Sequence, residues 1–491
     1  MPNITIDGRP LSVAEGTTVL KAAEAAGIPI PHLCYHPAFA AEGSCRICLV
    51  EIEGLPKLEL ACATVVREGL KVQTGNPSVR EARRAVLEFL LADHPLDCPI
   101  CDKAGECKLQ DYFLEYGLTE SAFRDDKERR AKKVRIGERL LLDRERCILC
   151  TRCVRFLRDI TKTRELGVFE RGVHSEIGVY EDRQVATPYG GNLVDLCPVG
   201  AITDTTFRFK TRTWFLSARL SICPLCSRGC GIFIDYHPGF PRVAGSAKAY
   251  RIRPRLNPSV NGPWICDLGR YNYLDHHLDR LRKILWNRGD REMEMSRDRV
   301  TAILAEKVKE LTARGRGDRI GLVLNTGLTQ EDLRSIRDVF LGGTPSPRPW
   351  FADPPQGRDD GFLLRAERTA NRRGAEALGF RIQAVDLDEI GGGLEVLFVF
   401  GPYLKEAGSA ETIERALAAV GTKVLMTAMP SGLERLFDFV LPATLPSEKT
   451  GTFINADGLE QAFAQALPPC GEAWAEGDFV TALGREIGRV S

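Results

Sequence analysis

The distribution of cysteine restricts what this chain can fold into more than any other feature. Fifteen of the sixteen cysteines lie before residue 267 in closely spaced groups, and only Cys470 lies beyond. Disulfide-bonded secreted scaffolds are short and begin with a signal sequence, whereas this chain has 491 residues and its first residues lack a basic and an apolar segment. The C-x2-C pairs therefore predict metal binding in a reducing compartment.

The most informative group is Cys147-Ile-Leu-Cys150-Thr-Arg-Cys153, in which two C-x2-C steps share the middle cysteine. Three thiolates at this spacing on a tight loop can bind three corners of a 4Fe–4S cluster. The fourth ligand is commonly a cysteine before proline, and Cys197, which precedes Pro198, is the candidate. A zinc knuckle is the structural alternative, although zinc sites more often use two separate cysteine pairs.

The first group lies in a segment with the pattern of a small ferredoxin. Ile4-Thr-Ile and Leu11-Ser-Val flank an Asp7-Gly8 turn, which predicts a β-hairpin, and residues 18–26 predict a helix that ends at Gly27. The spacing C-x10-C-x2-C-x13-C then joins Cys34, Cys45, Cys48 and Cys62. Its first gap is longer than in plant-type 2Fe–2S proteins. We predict a β-grasp 2Fe–2S domain, with a zinc site or free thiols as the alternative.

The second group contains only three cysteines, in His94-Pro-Leu-Asp-Cys98-Pro-Ile-Cys101-Asp-Lys-Ala-Gly-Glu-Cys107. The other groups use four cysteines each and Cys470 lies in a separate region, so no fourth cysteine is left here. His94, four residues before the first cysteine, can replace it, and a neutral ligand would raise the potential of a cluster as it does in Rieske centres. The alternative is a histidine that merely ends a helix.

The fourth group is Cys223-Pro-Leu-Cys226-Ser-Arg-Gly-Cys230, with Cys266 as a remote fourth thiol. Four cysteines satisfy either a 4Fe–4S cluster or a zinc ion, so the ligand set alone does not separate the two metals. We predict another 4Fe–4S cluster and keep zinc as the alternative.

Charge and hydropathy argue against other functions. The formal net charge is +1, and the longest apolar runs, Val86–Ala92 and Leu394–Phe400, are far shorter than the ~18 residues that cross a bilayer. Residues 124–139 carry eight Lys or Arg, but no aromatic residue on which bases could stack. We interpret them as a solvated linker or a subunit contact, and we expect no nucleic-acid binding.

Beyond residue 290 strands alternate with helices. Residues 300–311 and 412–420 predict amphipathic helices. Three short apolar segments predict buried strands: Ile320–Asn325, Glu395–Phe400 and Lys423–Met426. This alternation predicts an α/β arrangement with a largely parallel sheet, and the proline-rich Thr344–Pro355 predicts a loop. Gly391-Gly-Gly393 precedes a strand and is no dinucleotide fingerprint; the sequence has no Walker A, G-x-G-x-x-G or Ser-His-Asp motif.

The order and spacing of the four groups resemble the large iron–sulfur subunit of bacterial respiratory complex I, the NADH–quinone oxidoreductase. The resemblance covers the first 270 residues in register and the rest more loosely. It implies a 2Fe–2S cluster on the first group and 4Fe–4S clusters on the other three, the last of them found only in some bacterial members and off the main electron path. The implied ligands are Cys34, Cys45, Cys48, Cys62, His94, Cys98, Cys101, Cys107, Cys147, Cys150, Cys153, Cys197, Cys223, Cys226, Cys230 and Cys266.

The C-terminal part resembles the molybdopterin oxidoreductase superfamily. The matching segments are Pro442-Ala-Thr, Glu448-Lys-Thr-Gly-Thr-Phe-Ile-Asn455 and Gly458-Leu-Glu-Gln461. Molybdenum enzymes of this type tend to carry Lys two residues after the last cluster cysteine, where this sequence has Leu268. About 200 residues follow residue 290, too few for the whole pterin-binding assembly. We expect a structural remnant without a molybdenum cofactor.

The predicted fold class is α+β and multidomain. A β-grasp 2Fe–2S ferredoxin domain (1–75) precedes a helical 4Fe–4S domain with one histidine and three cysteines as ligands (76–120) and a 4Fe–4S ferredoxin-like domain (140–212). A molybdopterin-oxidoreductase-type 4Fe–4S domain (213–275) and a truncated α/β molybdopterin-oxidoreductase-like domain (276–491) follow.

The resemblance implies an electron relay without catalytic residues of its own. Electrons would arrive from the flavoprotein subunit that binds NADH and FMN, pass the first, third and second groups in that order, and leave toward quinone. The implied partners also include a 2Fe–2S thioredoxin-like subunit, an 8-iron ferredoxin-like subunit and the quinone-site subunits. The implied location is the cytoplasmic side of the bacterial inner membrane, in a peripheral arm that contacts the membrane only through partners.

Three other interpretations stay open at this point. One is an iron–sulfur subunit on the diaphorase side of a soluble NAD-linked hydrogenase, which would use the same first three clusters. Another is a molybdopterin enzyme such as a formate dehydrogenase. The third is a zinc-stabilised scaffold without redox activity. An iron-hydrogenase catalytic chain is not expected, because no further cysteine set follows Cys266.

Overall fold

The described part of the chain comprises residues 1–117, 123–180, 183–240, 247–272, 280–289, 291–342 and 346–489 of a computed structural model. The chain divides into two units, residues 1–215 and residues 216–491. Both units combine helices with sheets, which confirms the mixed α/β multidomain class in its coarse form. The finer division into five domains stays a prediction.

The N-terminal hairpin forms as predicted and begins a five-stranded sheet. Asp7 and Gly8 have φ of 47° and 78°, the left-handed backbone that a tight two-residue hairpin turn requires. The strands lie in the spatial order Arg9–Ser12, Asn3–Ile6, Lys71–Gln73, Leu49–Ile52 and Glu59–Leu60. The helix Val19–Ala25, whose first turn is capped by Thr18, packs into one hydrophobic core with this sheet.

A long helix, Pro77–Asp93, leads into the second cysteine group. Asn76 caps its first turn, and proline occupies the first helical position, where no amide donor is needed. The helix stops before His94 because this residue precedes Pro95, and the residue before proline is driven out of the helical region. His94 accordingly has φ −61° and ψ 125°. The chain therefore changes from helical to extended conformation at His94.

Short elements surround the second and third cysteine groups. The remaining strands of the first unit are Val134–Arg135, Leu140–Leu142, Leu166–Phe169, Glu176–Val179 and Ile202–Asp204. Its remaining helical segments are Cys98–Ile100, Lys108–Glu115, Arg152–Arg155, Phe156–Ile160, Gly172–His174, Asn192–Leu196 and Thr213–Phe215. The sequence pattern of Val154–Ile160 predicts one helix, but the helical segment starts at Arg152 and continues as a π-helix from Phe156. An apolar pattern over two turns does not distinguish these helix types.

The basic segment 124–139 is attached to its own unit at Lys127. The Nζ of Lys127 donates hydrogen bonds to the carbonyl oxygens of Leu91 at 2.5 Å and Ala92 at 2.8 Å. These carbonyls end the helix Pro77–Asp93, where acceptors lack intrahelical partners and the helix dipole favours a cation. Lys127 is therefore tied to a helix of its own unit, and the interpretation of the whole segment as a solvated linker or a subunit contact stays a prediction.

The second unit contains a seven-stranded, largely parallel sheet, as predicted. The strands lie in the spatial order Arg291–Glu294, Leu285–Arg288, Phe439–Pro442, Thr422–Thr427, Val396–Phe400, Ile320–Leu324 and Arg348–Phe351. The first two are antiparallel additions at one edge, and the other five run parallel. The helical segments of this region are Arg297–Ala313, Gly317–Arg319, Gln330–Ile336, Arg337–Leu341, Arg372–Ala377, Leu387–Gly391, Tyr403–Ala407, Ala410–Ala418, Glu434–Leu436, Pro446–Glu448 and Glu476–Glu486.

The predicted loop Thr344–Pro355 is wrong in its centre. Arg348–Phe351 forms a strand that pairs in parallel with Ile320–Leu324. Pro349 is compatible with this strand because it lies at the edge of the sheet, where one side needs no hydrogen-bond donor. Thr344 lies outside the described residues.

A three-stranded antiparallel sheet supports the fourth cysteine group. Its strands are Ser217–Ile222, Gly231–His237 and Lys248–Pro254. Cys223 directly follows the first strand, and Cys230 directly precedes the second. A separate hairpin pairs Gly451–Ile454 with Glu460–Phe463, and a π-helix spans Leu268–Asn272. None of the helices in the described ranges has the length and apolar character needed to cross a bilayer.

Candidate iron–sulfur centres

The four cysteines of the first group come together in two adjoining pairs. All four are buried, and hydrogen bonds join the thiol of Cys34 to that of Cys45 and the thiol of Cys48 to that of Cys62. The amide of Cys34 also donates to the Sγ of Cys45 over 3.3 Å. Cys34 interacts electrostatically with Cys48 and Cys62, so the pairs are neighbours. The sequence-predicted 2Fe–2S ligands therefore occupy one place.

Within each of these pairs, the pKa of one thiol is lowered and that of the other is raised. The hydrogen bond from Cys45 lowers the pKa of Cys34 to about 5, and the same bond raises the pKa of Cys45 well above its ordinary value. The hydrogen bond with Cys62 likewise raises the pKa of Cys48. All four thiols would become thiolates together only beside added positive charge, which bound iron supplies.

The third group lines an apolar cavity in the first unit. Cys147, Cys150, Cys153 and Cys197 line a small pocket together with aliphatic side chains such as Leu142. Cys153 interacts with each of the other three thiols. Apolar walls of this kind exclude water and lower the local dielectric constant. The sequence-predicted set is therefore complete here.

Backbone strain shapes the loop that carries three of these thiols. Leu149 and Thr151 have φ of 50° and 56°, a left-handed conformation that is unusual for residues with side chains as large as these. They flank Cys150, so the chain turns sharply before and after the middle cysteine. Such strained residues cluster at ligand sites, where the surrounding structure holds them.

Burial and mutual repulsion raise the pKa of three thiols of the third group, those of Cys147, Cys150 and Cys153. Burial raises the pKa of Cys150 to about 11 and that of Cys147 to about 12, and neighbouring thiols add to both effects. The pKa of Cys153 is raised further for the same two reasons. A multinuclear iron centre would reverse this balance, because a coordinating thiol is deprotonated by its metal.

The second group adjoins the third. Cys101 interacts with Cys98 and with Cys107, so its three thiols are neighbours. A Cβ atom added at Gly200 would lie 2.2 Å from the Sγ of Cys101. Gly200 follows Cys197 by three residues, in the Cys-Pro-Val-Gly loop of the third group. Glycine at this position leaves the room that the thiol of the second group occupies.

His94 lies next to the second group as a neutral imidazole. The residue is half-buried, but its Nδ1 atom is buried and has no hydrogen-bond partner. Burial lowers its pKa to about 4 against the opposing effect of Asp97, so the ring is uncharged at neutral pH. Arg146 interacts with His94 and with Cys101. A neutral ring with an unused nitrogen is the form of histidine that binds metals.

The fourth group lies wholly in the second unit. Its four thiols are buried, and Cys230 interacts with Cys223, Cys226 and Cys266. A Cβ added at Gly269 would approach the Sγ of Cys223 to 3.0 Å, so glycine again leaves room for a thiol. Burial raises the pKa of Cys266 to about 12. The remaining cysteine, Cys470, is a half-buried free thiol outside these groups.

Two residues of the C-terminal segment hold the loop of the fourth group, a role that the sequence did not reveal. The Nε2 of Gln461 donates to the carbonyl of Gly229 over 2.9 Å, and the Nδ2 of Asn455 donates to that of Arg228 over 3.2 Å. Gly229 has φ +62°, and a Cβ there would lie 2.9 Å from the Nε2 of Gln461. Partners more than 200 positions apart leave no local signal in a sequence.

None of these groups is arranged as a mononuclear site. Among residues whose placement is described, no three His, Cys, Asp or Glu side chains are arranged to hold one metal ion. An iron–sulfur cluster makes a different demand, because each thiolate binds a different position on a multinuclear core. The all-thiol donor sets of three groups and the unpartnered Nδ1 of His94 in the second fit that demand.

Four family models match the chain. Residues 2–77 match a 2Fe-2S iron-sulfur cluster binding domain, and residues 83–122 match the NADH-ubiquinone oxidoreductase-G iron-sulfur binding region. Residues 137–203 match the ferredoxin-like domain of NADH-quinone oxidoreductase subunit 3, and residues 346–486 match the molybdopterin oxidoreductase model. The chain therefore carries 2Fe–2S and 4Fe–4S binding domains.

Curated relatives agree with these matches. The G subunit of the NADH-quinone oxidoreductase of Rickettsia bellii is 38% identical over 311 residues, 63% of this chain and 44% of the relative. The matched part of this chain is similar to these large iron–sulfur subunits. A plant member, the mitochondrial NADH dehydrogenase [ubiquinone] iron-sulfur protein 1 of Solanum tuberosum, is 40% identical over 270 residues, 55% of this chain and 35% of the relative. The chain spans less than half the length of these two relatives.

A solved structure, the NAD+-reducing [NiFe]-hydrogenase in the H2-reduced state, is also similar to this chain. The identity is 34%, the match covers 43% of this chain and 91% of the hydrogenase chain, and the TM-score is 0.40.

Proposed function

We propose that this chain is the electron-transfer subunit of an NADH–quinone oxidoreductase, relaying electrons from an NADH- and FMN-binding subunit toward quinone. The observation that carries the proposal is the contact between successive cysteine groups of the first unit. Arg155 donates hydrogen bonds to the carbonyls of Cys34 in the first group and Cys150 in the third. Gly200 of the third group faces Cys101 of the second. This sequence of contacts follows the electron order that the family resemblance implies.

The proposed cofactors are one 2Fe–2S cluster and three 4Fe–4S clusters. Clusters bound here would supply one-electron redox chemistry with little change in geometry. The chain supplies the ligands, the dry surroundings and the separation between groups. The proposed ligand sets are Cys34, Cys45, Cys48 and Cys62; His94, Cys98, Cys101 and Cys107; Cys147, Cys150, Cys153 and Cys197; and Cys223, Cys226, Cys230 and Cys266.

The proposed partners are those of the peripheral arm of a respiratory complex. They are the flavoprotein, a 2Fe–2S thioredoxin-like subunit, an 8-iron ferredoxin-like subunit and the subunits of the quinone site. The proposed position is the cytoplasmic side of the inner membrane, with membrane contact only through these partners. We propose no role in nucleic-acid binding, since the net charge is only +1.

We propose that the molybdopterin-like region carries no molybdenum cofactor and has a structural role. Leu268 stands where the resembling molybdenum enzymes tend to carry Lys. Glu448, in the segment that resembles the cofactor domain, is buried and paired with Arg280 at 2.7 and 2.8 Å. Asn455 and Gln461 hold the loop of the fourth group. These side chains are occupied in internal contacts and support the structural role.

Metal analysis tests the cluster assignment. Purified anaerobically, the chain is expected to hold about 14 irons, two from the 2Fe–2S cluster and four from each of three 4Fe–4S clusters. Acid-labile sulfide should match the iron, and molybdenum and pterin should be absent. The measurement is plasma emission spectrometry with sulfide analysis. Stoichiometric zinc with little sulfide would instead support the zinc-stabilised scaffold.

NADH oxidation tests the relay itself. The chain alone is expected not to reduce ferricyanide with NADH, since its sequence has no dinucleotide fingerprint. Adding the flavoprotein partner should reduce the clusters, which EPR spectroscopy would detect. NADH-dependent ferricyanide reduction by the pure chain would contradict the proposal, as would clusters that stay oxidised in the reconstituted complex.

A further inference from the structure

A buried arginine connects the first cysteine group to the third. Arg155 is 1% exposed, in the short helix Arg152–Arg155 that also carries Cys153. Its guanidinium donates to the carbonyls of Cys34, of Cys150 at 3.1 Å and of Ala40 at 3.1 Å. Two of these acceptors belong to proposed cluster ligands from different groups. One rigid side chain thus spans both loops.

A second arginine repeats this arrangement one turn earlier. Arg152 donates to the carbonyl of Tyr35, next to Cys34, and to the carbonyl of Leu196 at 3.3 Å, next to Cys197. Its charge interacts with the thiols of the first and the third group. Both arginines therefore touch the backbone beside ligands of two centres. The fork of donors on guanidinium suits several fixed acceptors, which the single ammonium of lysine does not.

The positive charge between the two groups is only partly neutralised nearby. Arg155 pairs with Glu42, whose carboxylate lies 3.5 Å from its Nε and is half-exposed. The same carboxylate lies 3.6 Å from the exposed Arg158, so it is shared. The guanidinium groups also interact electrostatically with the thiols of both groups, Arg155 with Cys34 and both arginines with Cys150.

We propose that Arg155 and Arg152 are positioning residues that hold the first and third centres at a fixed separation and raise the reduction potentials of both. This inference rests on the proposed relay function. In the step concerned, one electron leaves the reduced 2Fe–2S centre and enters the oxidised 4Fe–4S centre; no bond forms or breaks. Guanidinium stays protonated throughout, so no proton moves with the electron. Its buried charge favours the reduced, more negative state of each centre.

Variants of Arg155 separate the charge from the hydrogen bonds. Arg155→Met removes both, whereas Arg155→Lys keeps the charge but not the fork. Arg158→Met is the matched control: it removes an exposed cation from the same helical stretch that shares Glu42 with Arg155. All are purified anaerobically as full chains. An EPR-monitored redox titration gives the midpoints, the spin–spin broadening of the two reduced centres reports their separation, and hydrogen exchange reports the order of residues 34–42.

Arg155→Met is expected to lower the equilibrium constant for one-electron reduction of each centre about tenfold. This corresponds to a midpoint potential about 59 mV lower. Arg155→Lys should leave both midpoints near the wild-type values but change the broadening and speed exchange in residues 34–42. Arg158→Met should change none of the three readouts.

Midpoints in Arg155→Met that equal those of Arg158→Met overturn the electrostatic part of the inference. If Arg155→Met fails to retain iron, the Arg155→Lys variant tests the positioning role instead. Spin–spin broadening and hydrogen exchange equal to those of wild type in Arg155→Lys overturn that role. If wild-type protein itself shows no 2Fe–2S or 4Fe–4S signal, the proposed function fails instead. The two failures are therefore distinguishable.

Discussion

Replacing His94 with Cys is expected to retain a 4Fe–4S cluster on the second group but to lower its midpoint potential. Thiolate adds a negative charge to the ligand set, where imidazole is neutral, and this charge disfavours adding an electron. The partly buried surroundings of His94 screen such a charge poorly. We expect at least a tenfold change in the one-electron equilibrium, which corresponds to about 59 mV. An EPR-monitored redox titration of both proteins measures it.

The consequence for turnover follows from the place of this centre in the proposed relay. A lower potential makes the second group a worse acceptor, so electron transfer toward quinone should slow, while NADH oxidation by artificial acceptors upstream should be spared. His94→Ala should leave one iron position without a protein ligand and risk the loss of that iron. Iron analysis of this variant checks the point.

His174 provides the control for the substitution itself. It is exposed and lies in the same unit, but in none of the four groups, so His174→Cys should leave every midpoint unchanged. If the midpoints of His94→Cys also equal those of wild type, His94 is no ligand. It would then be a histidine that only ends the helix Pro77–Asp93.

Sequence spacing predicted the cysteine groups because ligand spacing is local. The run from Cys147 to Cys153 and the Asp7-Gly8 hairpin each depend on residues within one turn or loop, and the structure assembles both. His94 was predicted as a ligand by a different route, from the absence of a fourth cysteine in its group. The parallel sheet of the second unit was also predictable, since its buried strands are short apolar runs.

Contacts between distant segments were not predictable. Arg155 reads in the sequence as one more basic residue beside a cysteine, yet its acceptors Cys34 and Ala40 lie more than 110 positions away. Gln461 was noticed only for its resemblance to a cofactor domain, whereas the structure uses it to hold Gly229. The edge strand Arg348–Phe351 was mistaken for a loop because Pro349 and the prolines on both sides of the strand dominate the local pattern. Each of these depends on tertiary packing.

Replacing Lys449 with Met is expected to lower the free energy of unfolding of the second unit by about 3–5 kcal/mol, the usual effect of removing one partner from a buried ion pair. The Nζ of Lys449 lies 2.7 Å from Asp332 and 2.6 Å from Glu476. Asp332 and Glu476 are both buried. Without the ammonium, two buried carboxylates would face each other with no positive charge between them. Differential scanning calorimetry of the full chain measures the loss as a lower melting temperature.

The loss should depend on pH with a definite sign. Burial raises the pKa of Glu476, which Lys449 only partly offsets. Burial also acts to raise the pKa of Asp332, but Lys449 together with hydrogen bonds from Thr329 and Gly477 holds it below the usual range. In Lys449→Met the pKa of both carboxyls in the folded protein rises above that of the unfolded chain. Such groups destabilise the fold at high pH and cease to do so as they become protonated. The difference from wild type should therefore shrink between pH 8 and pH 5.

Two further variants separate this buried pair from surface charge. Lys283→Met removes an exposed lysine that pairs with the exposed Glu294 in the same unit, and its melting temperature should stay near that of wild type because water screens such pairs. Adding Glu476→Gln to Lys449→Met removes one of the two unpaired carboxylates and should restore part of the stability at pH 8. If the melting temperature of Lys449→Met equals that of wild type at pH 8, water or a rearrangement satisfies the two carboxylates. In that case the segment around Lys449 does not depend on this ion triad for its stability.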